Sequence, residues 1–333
     1  MHTTIAPPRA LRRIPALLIM ALLLGAPALA QNRRFSADDL PKIVRLSDPQ
    51  LSPDGRAVAV VVGRANLIDN RWDGQLTLID VASKASRVLS ERRGISNLRW
   101  APNGRALAFL ASDSAGRAQV HVMAMDGGDA VQLTAHKTAI THLAWRPDGA
   151  ALAYAAADEE PERTGEAKFE DAFEVGNNSY LDRSARRPTH IWTVALADGV
   201  AKRLTSGPQS IPVGLPPSGP PSQLNWTPDG ASILFVQAIT AATGDADSGR
   251  LMLLDVASGA VKPVVPGTAR QSVPILSPDG RSVAFVAPRG GVAAHQSRVM
   301  VAPVAGGAAS DAAPGLDVAV DLVGWLPDGN RCC

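Results

Sequence analysis

The sequence predicts an all-β protein, a β-propeller of four-stranded blades about 45–50 residues long, incomplete at its C-terminal end. Three observations carry this expectation. A turn motif of Pro, Asp (or Asn) and Gly recurs six times along the 333 residues. Most copies are one blade length apart, and short apolar runs flank each copy. The composition agrees: 46% apolar residues can fill a sizeable core, while 29 Gly and 26 Pro suit many short strands joined by tight turns.

The copies are Ser52-Pro53-Asp54-Gly55, Ala101-Pro102-Asn103-Gly104, Arg146-Pro147-Asp148-Gly149, Thr227-Pro228-Asp229-Gly230, Ser277-Pro278-Asp279-Gly280 and Leu326-Pro327-Asp328-Gly329. Their third residues are 49, 45, 81, 50 and 49 apart. Four of these gaps match one blade, so successive turns mark successive blades. Trp100, Trp145, Trp226 or Trp325 precedes four of the turns, with Leu51 and Leu276 in the other two. These positions are expected to pack blade on blade. After each of the first five turns an apolar strand follows, as at 57–62, 106–110 and 151–154. A second strand comes next, as at 120–125, 191–196 and 251–256, and then a Leu-Thr ending such as Leu133-Thr134 or Leu204-Thr205.

The turn's spelling has a local cause. Proline presets φ near −65°, Asp or Asn accepts hydrogen bonds from nearby backbone, and Gly takes the left-handed conformation. The five aspartates (Asp54, Asp148, Asp229, Asp279, Asp328) and Asn103 are therefore structural positions. They lie about 50 residues apart in equivalent turns, so each is expected to cap its own turn and not to join a calcium site.

The 81-residue gap holds a blade plus an insertion at 158–187, rich in acidic residues including Glu159, Glu160, Glu162 and Glu166. A second irregular stretch, rich in Pro and Gly, runs from 207 to 221. Long loops on such a scaffold carry recognition more often than stability. The last repeat stops four residues after Gly329, at Cys333. The chain is accordingly expected to be a fragment, with 331–333 a tail.

Residues 1–30 read as a cleavable secretory leader. Arg9, Arg12 and Arg13 form a basic start, 14–24 an apolar run, and Ala28-Leu29-Ala30 a cleavage site. Residues 31–50 then form a lead-in to repeats spanning 51–330. Removing 1–30 takes three Arg and no acidic residue, so the formal charge moves from +2 to −1. No basic face remains to attract nucleic acid, and no later segment is apolar for long enough to cross a bilayer. An exported, secreted or periplasmic chain is expected.

The two cysteines, Cys332 and Cys333, are neighbours at the terminus and staple nothing. The six histidines form no close ligand cluster, and His136 and His142 are expected on the polar surface. No metal and no cofactor is implied.

Family resemblance enters at the opening of the repeats. The stretch from Leu46 to Arg56, Leu-Ser-Asp-Pro-Gln-Leu-Ser-Pro-Asp-Gly-Arg, resembles the start of an S9 (prolyl oligopeptidase-type) serine peptidase. Residues 169–178 followed by His190-Ile191-Trp192 resemble exported members of the dipeptidyl/acylaminoacyl-peptidase type. The resemblance covers about residues 35–330. It implies an N-terminal propeller that filters substrates ahead of a C-terminal α/β-hydrolase domain carrying Ser, Asp and His. No G-x-S-x-G occurs in this sequence; the nearest approach, Gly94-Ile95-Ser96-Asn97-Leu98, lacks the closing Gly. No catalytic residue is therefore assigned, and the chain alone is not expected to be an enzyme. The resemblance further implies that a glutamate pair on a propeller loop binds a substrate's free amino terminus. Glu159 and Glu160 are the adjacent pair in the insertion.

The partner implied is a peptide substrate, in company with a catalytic domain. A second reading is a free-standing periplasmic propeller resembling TolB, acting as a protein- or ligand-binding module. That family carries an α/β domain ahead of its propeller, whereas only residues 31–50 precede the first repeat here. A third reading, a propeller glycosidase or lyase, would need converging carboxylates that no sequence-local pair supplies.

Overall fold

A computed structural model describes residues 35–169, 186–212, 224–267, 270–292 and 295–316, together with 318, 322, 324–326, 328, 329 and 332. The leader, residues 170–178 of the family-like stretch and residues 213–221 of the Pro/Gly-rich stretch lie outside the described residues. Two compact units divide at Lys42. In the first, a 3₁₀ helix spans Ala37–Lys42, and Asp39 accepts hydrogen bonds from the Ser36 backbone N–H (3.0 Å) and from Lys42 (2.9 Å).

The second unit is built from five four-stranded antiparallel sheets, each a meander in chain order. Blade 1 holds β1 (Val44–Leu51), β2 (Ala57–Asn66), β3 (Arg71–Asp80) and β4 (Ser86–Ser90). Blade 2 holds β5 (Ser96–Trp100), β6 (Ala106–Ser112), β7 (Ala118–Ala124) and β8 (Val131–Gln132). Blade 3 holds β9 (Ile140–Trp145), β10 (Ala151–Ala157), β11 (Thr189–Ala195) and β12 (Ala201–Arg203). Blade 4 holds β13 (Asn225–Trp226), β14 (Ser232–Gln237), β15 (Arg250–Asp255) and β16 (Val261–Pro263). Blade 5 holds β17 (Ser272–Leu276), β18 (Ser282–Pro288), β19 (Ser297–Pro303) and β20 (Ser310–Asp311). The expected architecture is present. The inner strand β1 takes up residues that the sequence assigns to the lead-in, so the first blade opens at Val44.

First strands of successive blades lie against one another, and fourth strands are largely exposed, so the first strands are the inner ones. The second strand of a blade is sandwiched between neighbouring sheets and apolar on both faces, as in the nearly fully buried β10, Ala-Leu-Ala-Tyr-Ala-Ala-Ala. Four apolar cores follow in chain order, one between each pair of consecutive blades. Phe109 and Leu98 fill the first with Leu76; Tyr154 and Trp145 the second with Leu110; Phe235 and Trp226 the third with Ile191; Phe285 and Val283 the fourth with Leu253.

The tryptophans do more than fill space. Trp100 donates its indole N–H to the Gln50 carbonyl at 3.0 Å, Trp145 to Arg99 at 2.9 Å, Trp226 to Ala144 at 3.2 Å and Trp325 to Ile275 at 2.9 Å. Each acceptor directly precedes the matching position of the preceding blade. Leu276 has no side-chain donor, and there Asn225 Nδ2 instead donates to Pro274 O at 3.1 Å, joining blades 4 and 5. Trp325 thus stands on blade 5 as Trp145 stands on blade 2, and its backbone bridges to Cys332, in the predicted tail.

Each of the first five turns is closed by its own side chains. In the first, Ser52 Oγ donates to Asp54 Oδ1 (2.6 Å) and accepts from the Ala57 N–H (2.9 Å), while Asp54 Oδ1 also takes the Arg56 N–H (3.1 Å). Thr227 with Asp229 and Ser277 with Asp279 repeat this pattern. Arg146 takes the hydroxyl's place beside Asp148, and Asn103 accepts the Arg105 N–H. These hydrogen bonds hold the carboxyls of Asp54, Asp229 and Asp279 below the usual range, the hydroxyl contributing most. The Arg146 guanidinium takes Asp148 down to about 2.

Candidate functional site

In a four-stranded meander the first and third turns fall at one end of the blade, and the middle loop falls at the other with the connector to the next blade. The Pro-Asp-Gly turns therefore occupy one end. The opposite end carries the 158–188 insertion after β10 and the connectors after each fourth strand. The turn aspartates and the Glu159-Glu160 pair lie at opposite ends of their strands, and the structure does not bring them together.

The loop end is built on a repeat the sequence reading missed. The residue just before the buried apolar position of each third strand is polar: Gln75, Gln119, His190, Arg250 and Arg298. Gln75, Gln119, His190 and Arg298 reach toward the segment beyond strand four. Gln75 donates to Glu91 (2.6 Å) and Gln119 to the His136 carbonyl (2.9 Å), while Arg298 Nη1 donates to the Ala313 carbonyl (3.3 Å). The Leu-Thr ending now has its reason. Thr134 Oγ1 accepts the Val120 N–H and Thr205 Oγ1 the Ile191 N–H, both at 2.9 Å, so each hydroxyl continues a ladder that strand four has left.

Blade 3 carries the densest chemistry at this end. The Asp158 N–H donates to the Pro188 carbonyl (2.9 Å) and closes the base of the insertion. Its carboxylate pairs with Arg203 on β12 (2.9 Å) and faces Nε2 of the buried His190 (3.4 Å), whose Nδ1 lies 3.2 Å from Thr205 Oγ1. Burial, then Arg203, push the His190 pKa below its ordinary value against the pull of Asp158. Thr205 is buried and its oxygen already accepts a backbone N–H, so this Asp-His-Thr row is a structural clamp. Beside it, His136 packs edge-on to Tyr154 and Trp192, those two rings stack, and Arg203 lies over Trp192 at 5.7 Å.

Glu159 and Glu160 follow directly. Both are about half exposed (side chains 52% and 54%), and each already faces a cation of this chain. Glu159 pairs with Lys137 at 2.9 Å; Glu160 faces Arg163 at 3.3 Å and Arg187 at 4.0 Å.

The histidines correct the expectation of a polar surface. His142 is only 4% exposed on inner strand β9, and burial, followed by the charge of Arg99, lowers its pKa to about 4. His121 and His190 are buried as well, and His136 is half-buried. Among the described residues no group of three His, Cys, Asp or Glu side chains is placed to hold a metal, and no helix is long and apolar enough to cross a membrane. Gly94–Leu98, the nearest sequence approach to a nucleophile elbow, leads into the inner strand of blade 2. A shallow recess of about 440 Å³ opens between the outer strands of blades 1 and 2 over Leu89, Met123 and Ala130.

Sheets of four antiparallel strands repeated in chain order, with first strands innermost, define a β-propeller. The particular likeness is to the propeller part of S9-type serine peptidases. An uncharacterized peptidase of Bacillus subtilis (strain 168), YuxL, is 31% identical over 105 residues, covering 31% of this chain and 16% of that protein. The acylaminoacyl peptidase of Pyrococcus horikoshii superposes with a TM-score of 0.62 at 15% identity, over 87% of this chain and 43% of the enzyme. A TolB structure from Agrobacterium tumefaciens gives 0.51 at 18% identity over 80% of each chain. At such identities the structural likenesses show the fold. The chain thus spans less than half of the peptidases it resembles. No family model matches it.

Proposed function

We propose that this chain is the non-catalytic propeller part of an exported S9-type serine peptidase of the dipeptidyl/acylaminoacyl kind. In this reading the propeller gates access by size and its loop end binds peptide, with Glu159 and Glu160 receiving the substrate's amino terminus. Proteolysis belongs to a hydrolase domain outside this sequence. The observation that carries the reading is the stretch of 105 residues at 31% identity to a peptidase, a likeness of sequence and not of fold alone. The placement of the insertion at the loop end, with its base clamped by Asp158, Arg203 and His190, agrees with a recognition role.

Two measurements test it. Translation of the locus beyond the Cys333 codon should reveal a G-x-S-x-G followed by Asp and His. In that full-length enzyme, Glu159→Gln with Glu160→Gln should raise KM for substrates with a free amino terminus; an unchanged KM removes the glutamates' role. Export is tested by the amino-terminal sequence of the mature chain, expected to begin at Gln31.

The second reading, a periplasmic TolB-like propeller that binds a protein or ligand, is favoured by one observation: the TolB likeness covers 80% of both chains. An unrelated downstream sequence would make it the better account.

A further inference from the structure

The ion pair between Lys137 and Glu159 has a built character that a chance surface contact lacks. Lys137 lies on the connector between blades 2 and 3, and hydrogen bonds hold the backbone on both sides of it. The His136 N–H donates to Gln119 Oε1 (2.8 Å), Gln119 Nε2 donates to the His136 carbonyl (2.9 Å), and Arg117 donates to the Lys137 carbonyl (3.3 Å). Thr138 Oγ1 donates to the Ala157 carbonyl (2.6 Å), two residues before Glu159. The connector is thus fastened to both blades, and the lysine stem is left to reach the carboxylate at 2.9 Å while its side chain stays 74% exposed.

A lysine ammonium and a peptide's α-ammonium offer the same three N–H donors and the same charge. The group seated on Glu159 is therefore of the kind that the proposed function asks Glu159 to receive. We infer that Lys137 is an internal competitor for the Glu159 carboxylate and sets the affinity of this site for amino-terminal ammonium groups. The inference rests on the reading of Glu159 given above. Its half-solvated position lets Lys137 swing away when a ligand arrives. A ligand bringing only charge gains little over the lysine; one that also makes backbone or side-chain contacts displaces it. The competition thus favours peptides over free amines.

The test is calorimetric titration of the full chain with alanyl-proline amide, and with its N-acetyl form as the uncharged control, at low ionic strength. Lys137→Gln should tighten binding of the free amine by up to about five-fold, the ceiling set by the worth of an exposed ion pair, and leave the acetylated probe unchanged. Lys202→Gln, which removes an exposed cation from β12 with no carboxylate partner in the pair, controls for the loss of one positive charge. Glu159→Gln should abolish the preference for the free amine. If Glu159→Gln abolishes that preference but Lys137→Gln changes it no more than Lys202→Gln does, competition by Lys137 is refuted while the role of Glu159 stands. If Glu159→Gln has no effect, or neither the parent nor Lys137→Gln distinguishes the two probes, the role of Glu159 falls and the inference with it.

Discussion

The indole of Trp226 donates to the carbonyl of Ala144, 82 residues earlier in the chain, at 3.2 Å. This bond spans the whole of blade 3 with its insertion, yet it matches the bonds that Trp100 and Trp145 make across a single blade length. The insertion leaves the register of the blades untouched.

Replacing Trp226 by Phe keeps an aromatic ring in the third core but leaves the Ala144 carbonyl without its donor. An acceptor left unmet costs about 1–3 kcal/mol when fully buried; the Ala144 bond is part-buried, so urea unfolding of Trp226→Phe should show a loss of about 1 kcal/mol. A midpoint within error of the parent would mean that water replaces the bond.

Two turn glycines separate backbone strain from crowding. Gly55 and Gly280 both take left-handed φ, of 73° and 70°. A Cβ on Gly55 meets nothing within 4 Å, whereas one on Gly280 runs into the ring of Pro228 in the turn of the preceding blade. Gly55→Ala should cost about 1 kcal/mol, from the left-handed backbone alone. Gly280→Ala should cost about 1–3 kcal/mol more, from overpacking. Equal losses in thermal unfolding would refute the stacking of successive turns.

Inner strands bulge at one repeated position, occupied by Asp48, Asn97 and Val273, whose φ values are 55°, 53° and 50°. Asp and Asn tolerate this conformation, but a β-branched side chain does not. Asp48 also accepts the Leu98 N–H at 2.8 Å, and Asn97 donates to the Thr141 carbonyl. Val273→Asn should stabilise the chain by about 1 kcal/mol, visible as a higher melting temperature. A decrease would show that the valine's packing outweighs its strain.

His142 stands at the same distance before its turn in blade 3, but there it is paired with Ala155 in the ladder. Its folded pKa of about 4 lies below the ordinary value of 6.5, so the unfolded chain binds more protons between those pH values. Stability from this residue is complete above about pH 6.5 and is lost as pH falls toward 4, an effect of about 3 kcal/mol. His142→Asn should flatten stability against pH in that window, measured by urea unfolding at pH 4.5 and 7. The turn carboxylates act at lower pH. Held below 3.8, they add stability that fades as pH drops through their folded values, about 2 for Asp148.

Blade 1 exposes Leu46 and Leu51 of β1, at 69% and 61%. Apolar strand surface of this kind promotes association. The purified chain should self-associate with rising concentration in analytical ultracentrifugation, and Leu46→Lys with Leu51→Lys should suppress it. A monomer at all concentrations would refute this.

What the sequence disclosed follows from how local each signal is. The Pro-Asp-Gly turns were legible because Asp54 or Asp279 bonds residues two positions away. The tryptophans were legible as packing positions, but their acceptors were not, since Arg99 and Ala144 offer only backbone carbonyls, which leave no mark on residue type. Strand β1 was read as lead-in because Asp48-Pro49 breaks its pattern at the bulge. The polar position within each third strand escapes a sequence reading because Gln119, His190 and Arg250 share a place and not a chemistry. Aligning the blades on their turns, with that position compared across them, would have exposed it. The burial of His142 is hidden because nothing in a lone polar residue tells which face of an inner strand it takes.

The indole bonds all run in one direction, blades 2, 3 and 4 and Trp325 each reaching back to the blade before, while Asn225 reaches forward to join blades 4 and 5. A chain that emerges amino-terminus first can therefore seat blades 2, 3 and 4 on a finished surface one at a time, as masonry courses are laid, whereas the joint between blades 4 and 5 waits for Pro274 to arrive. The indole bonds thus favour assembly in order of synthesis, and the forward bonds of Asn97 and Asn225 close only once the next blade is in place.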